Sequence, residues 1–322
     1  MQGPVLVTGA AGFVGSHLLD LIRPLGLAIE GWRRPDTPVP FGTDLSGVVW
    51  HDVELLDRAS VRAAVSRLRP KTIVHLAGAA HVGQSWQAAA ATLQVNVIGT
   101  HHLLEADRAL GLGARILIPG SATVYRESDE MLAESSPLAP QSPYAVSKLA
   151  QEQLGIRAAR EGQHVVVTRS FNHIGPRQAP SFAAASFARQ VALAETGRTR
   201  PVLRVGNLAP RRDLMDVRDT VRAYVALLER GMPATVYNVC AGRALMIREL
   251  VEGLCRRAQV TVEIEVDPAL YRPHDAPLVL GDASRLRRDT GWEPRLPLDR
   301  TLDDLLAYWR RAVEYETPPP TA

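Results

Sequence analysis

A chain of 322 residues with 46% apolar side chains can bury one large core or two modest ones, and with 5% aromatics that core is built from Ala, Val and Leu. A net charge of +3 and a pI near 9.1 suit an anionic small molecule, and no Lys/Arg-rich run interleaved with aromatics points to nucleic acid. No apolar run is long enough to span a bilayer, there is no leader-like N-terminus, and Cys240 and Cys255 lack metal-ligand spacing. Buried free thiols, no metal site and a cytoplasmic location are therefore expected.

Residues 4–8 form a short apolar run that reads as the first strand. Gly9-Ala10-Ala11-Gly12-Phe13-Val14-Gly15 follows, and a helical pattern covers 16–22. Strand, glycine turn and helix are the setting of a dinucleotide-binding loop. Gly9 permits the tight turn, Gly12 lets the backbone approach a pyrophosphate at the helix N-terminus, and Gly15 lets helix and strand pack closely. The spacing is Gly-x-x-Gly-x-x-Gly rather than the commoner Gly-x-Gly-x-x-Gly. Residues 27–32 read as the second strand. An acidic residue at its end would bind a ribose 2′-hydroxyl; Arg33-Arg34 stands there instead. A guanidinium suits a 2′-phosphate, which favours NADP(H) over NAD(H).

Strand three covers 48–53. Its Asp52 either accepts from an adenine amine or caps the next helix. Strand four, 72–76, runs into Ala77-Gly78-Ala79-Ala80, small residues that let the backbone lie against a flat ligand. His75 inside that strand reads as a satisfied core histidine. A helix over 92–110 carries Asn96, either a polar support for the site or a buried structural amide. Strand five, 115–119, is followed by Gly120-Ser121-Ala122-Thr123-Val124-Tyr125, beyond the carboxyl end where ligands of an open parallel sheet bind.

Pro143 suits the first turn of a helix running to about residue 161, with Gly155 its weak point. Tyr144 and Lys148 share one face of it, a turn apart. A free tyrosine titrates near pKa ~10, and a lysine ammonium one turn away is expected to pull that value down. The pair can then exchange a proton with a carbonyl or alcohol oxygen, which Ser121 is placed to hold.

The glycine loop from Thr8 to Gly15, the strand end at 75–80, Ser121-Ala122-Thr123-Val124-Tyr125 and Tyr144-x-x-x-Lys148 resemble, in this order, the extended short-chain dehydrogenase/reductase family. The resemblance covers nearly the whole chain. It implies an α/β fold, a Rossmann-type doubly wound parallel sheet of about seven strands with a smaller mixed C-terminal substrate domain. Residues 1–170, with 213–230 crossing back, would bind NADP(H), and 171–322 would mostly bind a nucleotide sugar. Tyr144 is then the general acid/base, Lys148 tunes it and holds the nicotinamide ribose, and Ser121 orients the substrate oxygen. The cofactor would lie along Gly9, Gly12, Phe13, Val14, Gly15, Arg33, Arg34, Asp52, Val53, Leu76, Ala77, Gly78 and Asn96.

The second half, with a strand at 164–168, a helix over 181–196 and segments 169–178, 202–213, 236–240 and 272–282, resembles the branch acting on GDP-hexoses. That branch holds GDP-mannose 4,6-dehydratases and GDP-4-dehydro-6-deoxy-mannose reductases. By this similarity Asn172 contacts the sugar diphosphate, Arg212 and Arg272 clamp it, and Val205 and Asn207 lie near the guanosine. Two arginines converging on a diphosphate are charge-assisted and geometrically matched. Thr123, Arg189 and Arg211 are further substrate candidates, and Asp219 reads as a helix cap.

Dehydratases of this family carry an acid just after the strand-five Ser/Thr, where this chain has Ala122 and Thr123. Without it, hydride transfer and one proton transfer remain. The resemblance thus implies reduction, by NADPH with NADH possible, of the C4 keto group of GDP-4-dehydro-6-deoxy-D-mannose to GDP-D-rhamnose. The rivals are a nucleotide-sugar 4-epimerase, a 4,6-dehydratase and, in another class, a non-catalytic NADP(H)-binding regulator. Loss of the Tyr/Lys pair would mark the last, and this chain keeps both. Arg126, where the family usually has Gly, is expected to face solvent. Helices near 92–110 and 144–161 are the expected faces of a homodimer.

Overall fold

The computed structural model describes residues 1–34, 39–271 and 275–316. β1 (Val5–Thr8) leads through the glycine loop into α1 (Phe13–Ile22), followed by β2 (Ile29–Arg33), β3 (Val49–Asp52), α2 (Arg58–Leu68) and β4 (Thr72–His75). Two short helices come next, α3 (Val82–Ser85) and α4 (Ala89–Leu93), then a π-helical turn (Gln94–Gly99) and α5 (Thr100–Ala109). β5 (Arg115–Ser121), α6 (Pro143–Arg160) and β6 (His164–Ser170) follow. Beyond them are β7 (Asn172–Ile174), α7 (Ala183–Glu195), β8 (Val202–Val205), β9 (Arg211–Asp216), α8 (Val217–Arg230), β10 (Val236–Val239) and β11 (Ala244–Met246). The chain ends with α9 (Ile247–Arg257), β12 (Glu263–Val266), β13 (Leu278–Val279), α10 (Ser284–Thr290) and α11 (Leu298–Tyr315).

Seven strands form one sheet in the order β10-β6-β5-β4-β1-β2-β3, and every neighbouring pair is parallel. The chain works outward from β1 to β3, then returns to β4 on the other side of β1. This reversal makes a crevice beyond the carboxyl ends of β1 and β4, where ligands of such sheets bind. The strands are apolar runs because both faces are covered. Val5 and Val7 join Leu18 and Leu19 of α1 and Tyr224 and Leu227 of α8. Leu6, pointing the other way, joins Ile73, Ile116 and Ile118 with Val61 of α2 and Leu103 of α5. A third cluster gathers Phe187 and Val191 of α7, Leu250 and Leu254 of α9, and Leu305 and Trp309 of α11. Beside it lie the small sheets, β11-β9-β13 with β7 on β9, and β12 with β8.

The doubly wound sheet agrees with the sequence reading; several local expectations need correction. The helix over 92–110 is interrupted by the π turn, which carries Asn96. Asp57, not Asp52, caps α2, accepting from the Ala59 and Ser60 amides. Asp216, not Asp219, caps α8. Asp219 sits in the first turn and accepts from the Arg295 and Leu296 amides at 2.8 Å each, which a side chain aimed away from its own helix can do. Both cysteines are free, Cys240 buried and Cys255 half-buried. Among the described residues, no helix is long and apolar enough to cross a membrane, and no group of His, Cys, Asp and Glu is arranged to hold a metal.

Candidate active site

The crevice opens on the glycine loop. Gly9 has φ +65°, and a Cβ there would lie 2.7 Å from the Ala77 nitrogen. At Gly15 a Cβ would meet the Gly9 carbonyl oxygen at 2.4 Å. Only glycine fits either place. α1 begins at Gly12 with no side-chain cap, so its first amides are left to an anion. Phe13 stacks on His173 at 5.9 Å, and Val14 is half-buried beside it. Leu76, Ala77 and Gly78 border the loop, the Ala77 amide donating to Thr8 Oγ1 at 3.1 Å. This cradle fits a dinucleotide pyrophosphate.

Asn96 turns out to be both a buried amide and a brace. Its Oδ1 accepts from the Ala79 amide at 2.8 Å, and its Nδ2 donates to Ala79 O at 3.1 Å and Ser147 Oγ at 2.9 Å. The loop after β4 is thereby tied to α6, and Gly78 must be small because a Cβ would fall 2.7 Å from Asn96 Oδ1. At the end of β2, Arg33 donates to Asp52 Oδ1 at 2.8 Å, and Val53 donates its amide to Arg33 O at 3.0 Å. Arg34 is exposed.

α6 presents the reactive pair. Ser142 caps it, accepting from the Ala145 amide at 3.1 Å, and Pro143 fills the first position, where no N–H is needed. Ser85 of α3 accepts from the Tyr144 amide at 3.2 Å. The Tyr144 phenol is hydrogen-bonded to Ser121, at the end of β5. Burial raises the Tyr144 pKa, and the Ser121 hydrogen bond opposes this. Lys148 Nζ donates to Pro119 O at 2.6 Å and to Gln151 Oε1. Burial brings the Lys148 pKa down to about 8. The expected depression of Tyr144 by Lys148 is therefore not found: burial raises its pKa against the Ser121 hydrogen bond alone, and the ammonium is aimed at two carbonyl oxygens. Ser121 Oγ also lies 3.0 Å from Thr123 Oγ1. His75 is the satisfied core histidine expected, with its nitrogens 2.8 Å from Thr8 Oγ1 and 2.9 Å from Thr100 Oγ1. Burial, and then the charge of Lys148, push its pKa down to about 3.

The second half contributes less uniformly. Asn172 is exposed at the start of β7, in register with Leu214 of β9. Val205 is buried at the end of β8, and Asn207 just beyond it accepts from the Ala209 amide at 3.0 Å. Arg212 is held by Arg211 O at 2.8 Å, Ala276 O at 2.7 Å and Asp275. Arg189 is committed to Glu316 through two bonds of 3.0 and 2.6 Å, so its charge is already matched. Thr123, Arg126 and Arg211 are exposed. Arg272 lies outside the described residues. Sequence reasoning missed Gln151 and the buried Arg169–Glu152 pair. A lone arginine inside an apolar strand was the available signal for the pair, since a buried guanidinium requires a partner.

A doubly wound parallel sheet, a glycine cradle after β1, a serine ending β5 and Tyr-x-x-x-Lys on the next helix define an extended short-chain dehydrogenase/reductase. The family model described as GDP-mannose 4,6 dehydratase matches residues 6–305, and the chain belongs to that family. The GDP-6-deoxy-D-mannose reductase of Pseudomonas aeruginosa is 39% identical over 320 residues, 98% of this chain and 100% of that protein. The structure of RMD from Pseudomonas aeruginosa complexed with NADPH matches with a TM-score of 0.83 at 36% identity, covering 96% of this chain and 99% of that one. The UDP-glucose 4-epimerase of Thermus thermophilus complexed with NAD matches with a TM-score of 0.84 at 28% identity, covering 96% and 99%.

Proposed function

We propose that this chain reduces the C4 keto group of GDP-4-dehydro-6-deoxy-D-mannose with NADPH, giving GDP-D-rhamnose. The observation carrying this reading is at the end of β5. Ser121 faces the Tyr144 phenol, and the next two positions are Ala122 and Thr123. Neither can take the C5 proton or expel the C6 hydroxyl at neutral pH, as a 4,6-dehydratase must. The full-length likeness to a GDP-6-deoxy-D-mannose reductase supports the substrate, and the likeness to RMD complexed with NADPH supports the cofactor.

When bound, NADPH supplies the hydride for C4. Gly9, Gly12 and Gly15 leave room for its pyrophosphate at the start of α1, with Phe13, Val14, Leu76, Ala77 and Gly78 alongside. Asp52 and Val53 would border the adenine, Arg34 would take the 2′-phosphate with Arg33 joining it on releasing Asp52, and Asn96 supports the loop. Ser121 holds the C4 oxygen in line with Tyr144. Tyr144 gives its phenolic proton to that oxygen, and its raised pKa keeps the phenol protonated at neutral pH, the form reduction needs. Lys148 stabilises the phenolate left behind and meets the nicotinamide ribose. Asn172, Arg212 and Arg272 meet the diphosphate, Val205 and Asn207 the base, and Thr123 the sugar. Arg189 would join them only by releasing Glu316.

Residues 1–170 with 213–230 hold the cofactor, and most of 171–322 the nucleotide sugar; the packing of α8 on α1 supports this division. The chain pairs as a homodimer through the helices near 92–110 and 144–161, supported by their exposed apolar side chains Leu93, Ile98 and Val146. Two free thiols support a cytoplasmic location. The test combines GDP-mannose, a separate 4,6-dehydratase and NADPH, with products identified by NMR. NADPH consumed only with the dehydratase present, and a GDP-6-deoxyhexose whose couplings give the rhamno configuration, is the expected result. Untouched NADPH sinks the assignment and turns attention to a UDP-hexose 4-epimerase using NAD.

A further inference from the structure

We infer that Gln151 is a positioning residue for Lys148: its side-chain carbonyl, locked in one orientation by Thr100, takes one ammonium hydrogen and thereby sets where the remaining free one points. The inference rests on the reading of Lys148 as the partner of Tyr144.

Lysine is scarce here. The chain has two, Lys71 and Lys148. Lys71 is exposed; Lys148 is tucked between α6 and β5. An ammonium has three N–H donors and no acceptor. One donor is spent on Pro119 O at 2.6 Å and a second on Gln151 Oε1, which leaves the third for the crevice.

The orientation of the Gln151 amide follows from a count of hydrogens. An ammonium cannot accept, so the amide must turn its oxygen to Lys148. Gln151 Nε2 then donates to Thr100 Oγ1 at 2.7 Å. The single hydroxyl hydrogen of Thr100 goes to Asn96 O at 2.6 Å, so this oxygen can only accept from its other neighbours. His75 therefore carries its proton on Nε2, 2.9 Å from Thr100 Oγ1. Its Nδ1 accepts from the Thr8 hydroxyl at 2.8 Å, and Thr8 Oγ1 accepts from the Ala77 amide at 3.1 Å. Every hydrogen from the glycine-loop side of the crevice to Lys148 has one direction. A flipped Gln151 amide would set N–H against ammonium and would require Thr100 to donate twice.

The groups around Lys148 leave this carbonyl little competition. Tyr144 shares its helix face, and His75 approaches from β4, neutral and buried. Glu152, the next residue on α6 after Gln151, is taken up by Arg169 of β6. Tyr224 of α8 lies near Tyr144 and is hydrogen-bonded to Ser170 of β6 at 2.8 Å. β5 offers Lys148 a backbone carbonyl. Among the described residues, no carboxylate is paired with Lys148, so the Gln151 oxygen is the side-chain acceptor that holds the ammonium against its burial.

The test is a lysine titration. Protein labelled with 13C at lysine Cε gives two signals, exposed Lys71 serving as the internal reference, and a cooperative urea transition checks that each variant folds. In substrate-free and cofactor-free protein, Gln151→Leu should lower the Lys148 pKa by about half a unit or more, and Gln151→Glu should raise it by about one unit or more, the opposite sign. Thr100→Val, which frees the amide to flip, should shift Lys148 the same way as Gln151→Leu. If Gln151→Leu does not fold, the nearly isosteric Gln151→Glu and the Thr100→Val variant carry the same sign test. A Lys148 titration unmoved by these changes overturns the inference. In the GDP-sugar assay the alkaline limb of kcat/KM should follow the NMR shifts, up in Gln151→Glu and down in Gln151→Leu. A merely structural role would lower the rate at every pH without moving the limb. Because the titration needs neither cofactor nor substrate, shifts without GDP-sugar reduction would sink only the proposed reaction, and reduction with an unmoved Lys148 would sink only the clamp.

Discussion

Arg33 gives its Nε hydrogen to Asp52 at 2.8 Å and lays its guanidinium over Trp50, 5.8 Å from the ring centre. The pair is part-exposed, so its contribution to stability is small. Its consequence is electrostatic: Asp52 cancels Arg33. Arg34 is exposed and has no ion-pair partner among the described residues. The 2′-phosphate of NADPH would therefore meet its uncompensated charge at Arg34. Arg34→Ala should weaken NADPH binding by about tenfold, the loss of one charge-assisted hydrogen bond, and leave NADH binding nearly unchanged. Asp52→Asn should tighten NADPH by releasing Arg33. Fluorescence titration with both cofactors reads each change, and equal losses for NADPH and NADH would remove Arg34 from phosphate recognition.

Tyr144 is half-buried, and its phenol is hydrogen-bonded to Ser121. Burial raises its pKa, so the acid form persists through neutral pH. The rate of reduction should be flat across neutral pH and fall only in the alkaline range, as Lys148 and then Tyr144 lose their protons. Tyr144→Phe should lower kcat by about 10²–10⁴-fold, the range of a positioned general acid, with the Kd for NADPH unchanged. A variant that keeps its rate would show that the proton comes from elsewhere.

The parts legible in the sequence were those governed by local rules. Gly9 and Gly15 could be read because a left-handed turn and a close helix–strand contact each exclude a side chain. Tyr144 and Lys148 could be paired because helix geometry fixes residues four apart on one face. What stayed hidden depends on a one-residue shift or on the far end of the chain. The π turn at Gln94–Gly99 adds a residue to a helix without disturbing its apolar pattern enough to show. Asp52, Arg189 and Asp219 have partners in Arg33, Glu316 and the Arg295–Leu296 amides, which only the folded chain brings near. Short strands such as β11 and β13 have too few residues to carry a period.

Beneath the site, Arg169 of β6 grips Glu152 of α6 with two bonds of 2.8 and 2.7 Å, the side chains being 5% and 1% exposed. Arg169 also donates to Glu134 O at 2.9 Å and lies over Tyr125 at 4.7 Å. Tyr144, Lys148 and Glu152 fall on successive turns of α6, so this grip fixes the helix that carries the chemistry. Glu152→Leu leaves a buried unpaired guanidinium and should cost about 3–5 kcal/mol. Adding Arg169→Met should restore much of that loss, because no charge is then stranded. Urea unfolding of both variants decides: a double variant as unstable as the single one would assign the cost to lost packing instead.

Lys148 is the group whose function and stability conflict. Burial lowers its pKa from 10.5 to about 8, so folding works against the ammonium. The sign of the linkage follows directly. Below pH 8 the lysine is charged in both states and the cost of burying it is present in full; between 8 and 10.5 the folded form is largely neutral, and the cost fades as the unfolded chain also loses its proton. The stability of the wild type relative to Lys148→Met should therefore rise by about 2 kcal/mol from pH 7 to pH 10, reduced from the full linkage value because the side chain keeps some contact with solvent. The variant should be inactive at every pH. Denaturant unfolding of both proteins at several pH values measures the difference. A stability gap that does not change with pH would mean that Lys148 titrates as an ordinary lysine, and the alkaline limb of turnover would then belong to Tyr144 alone.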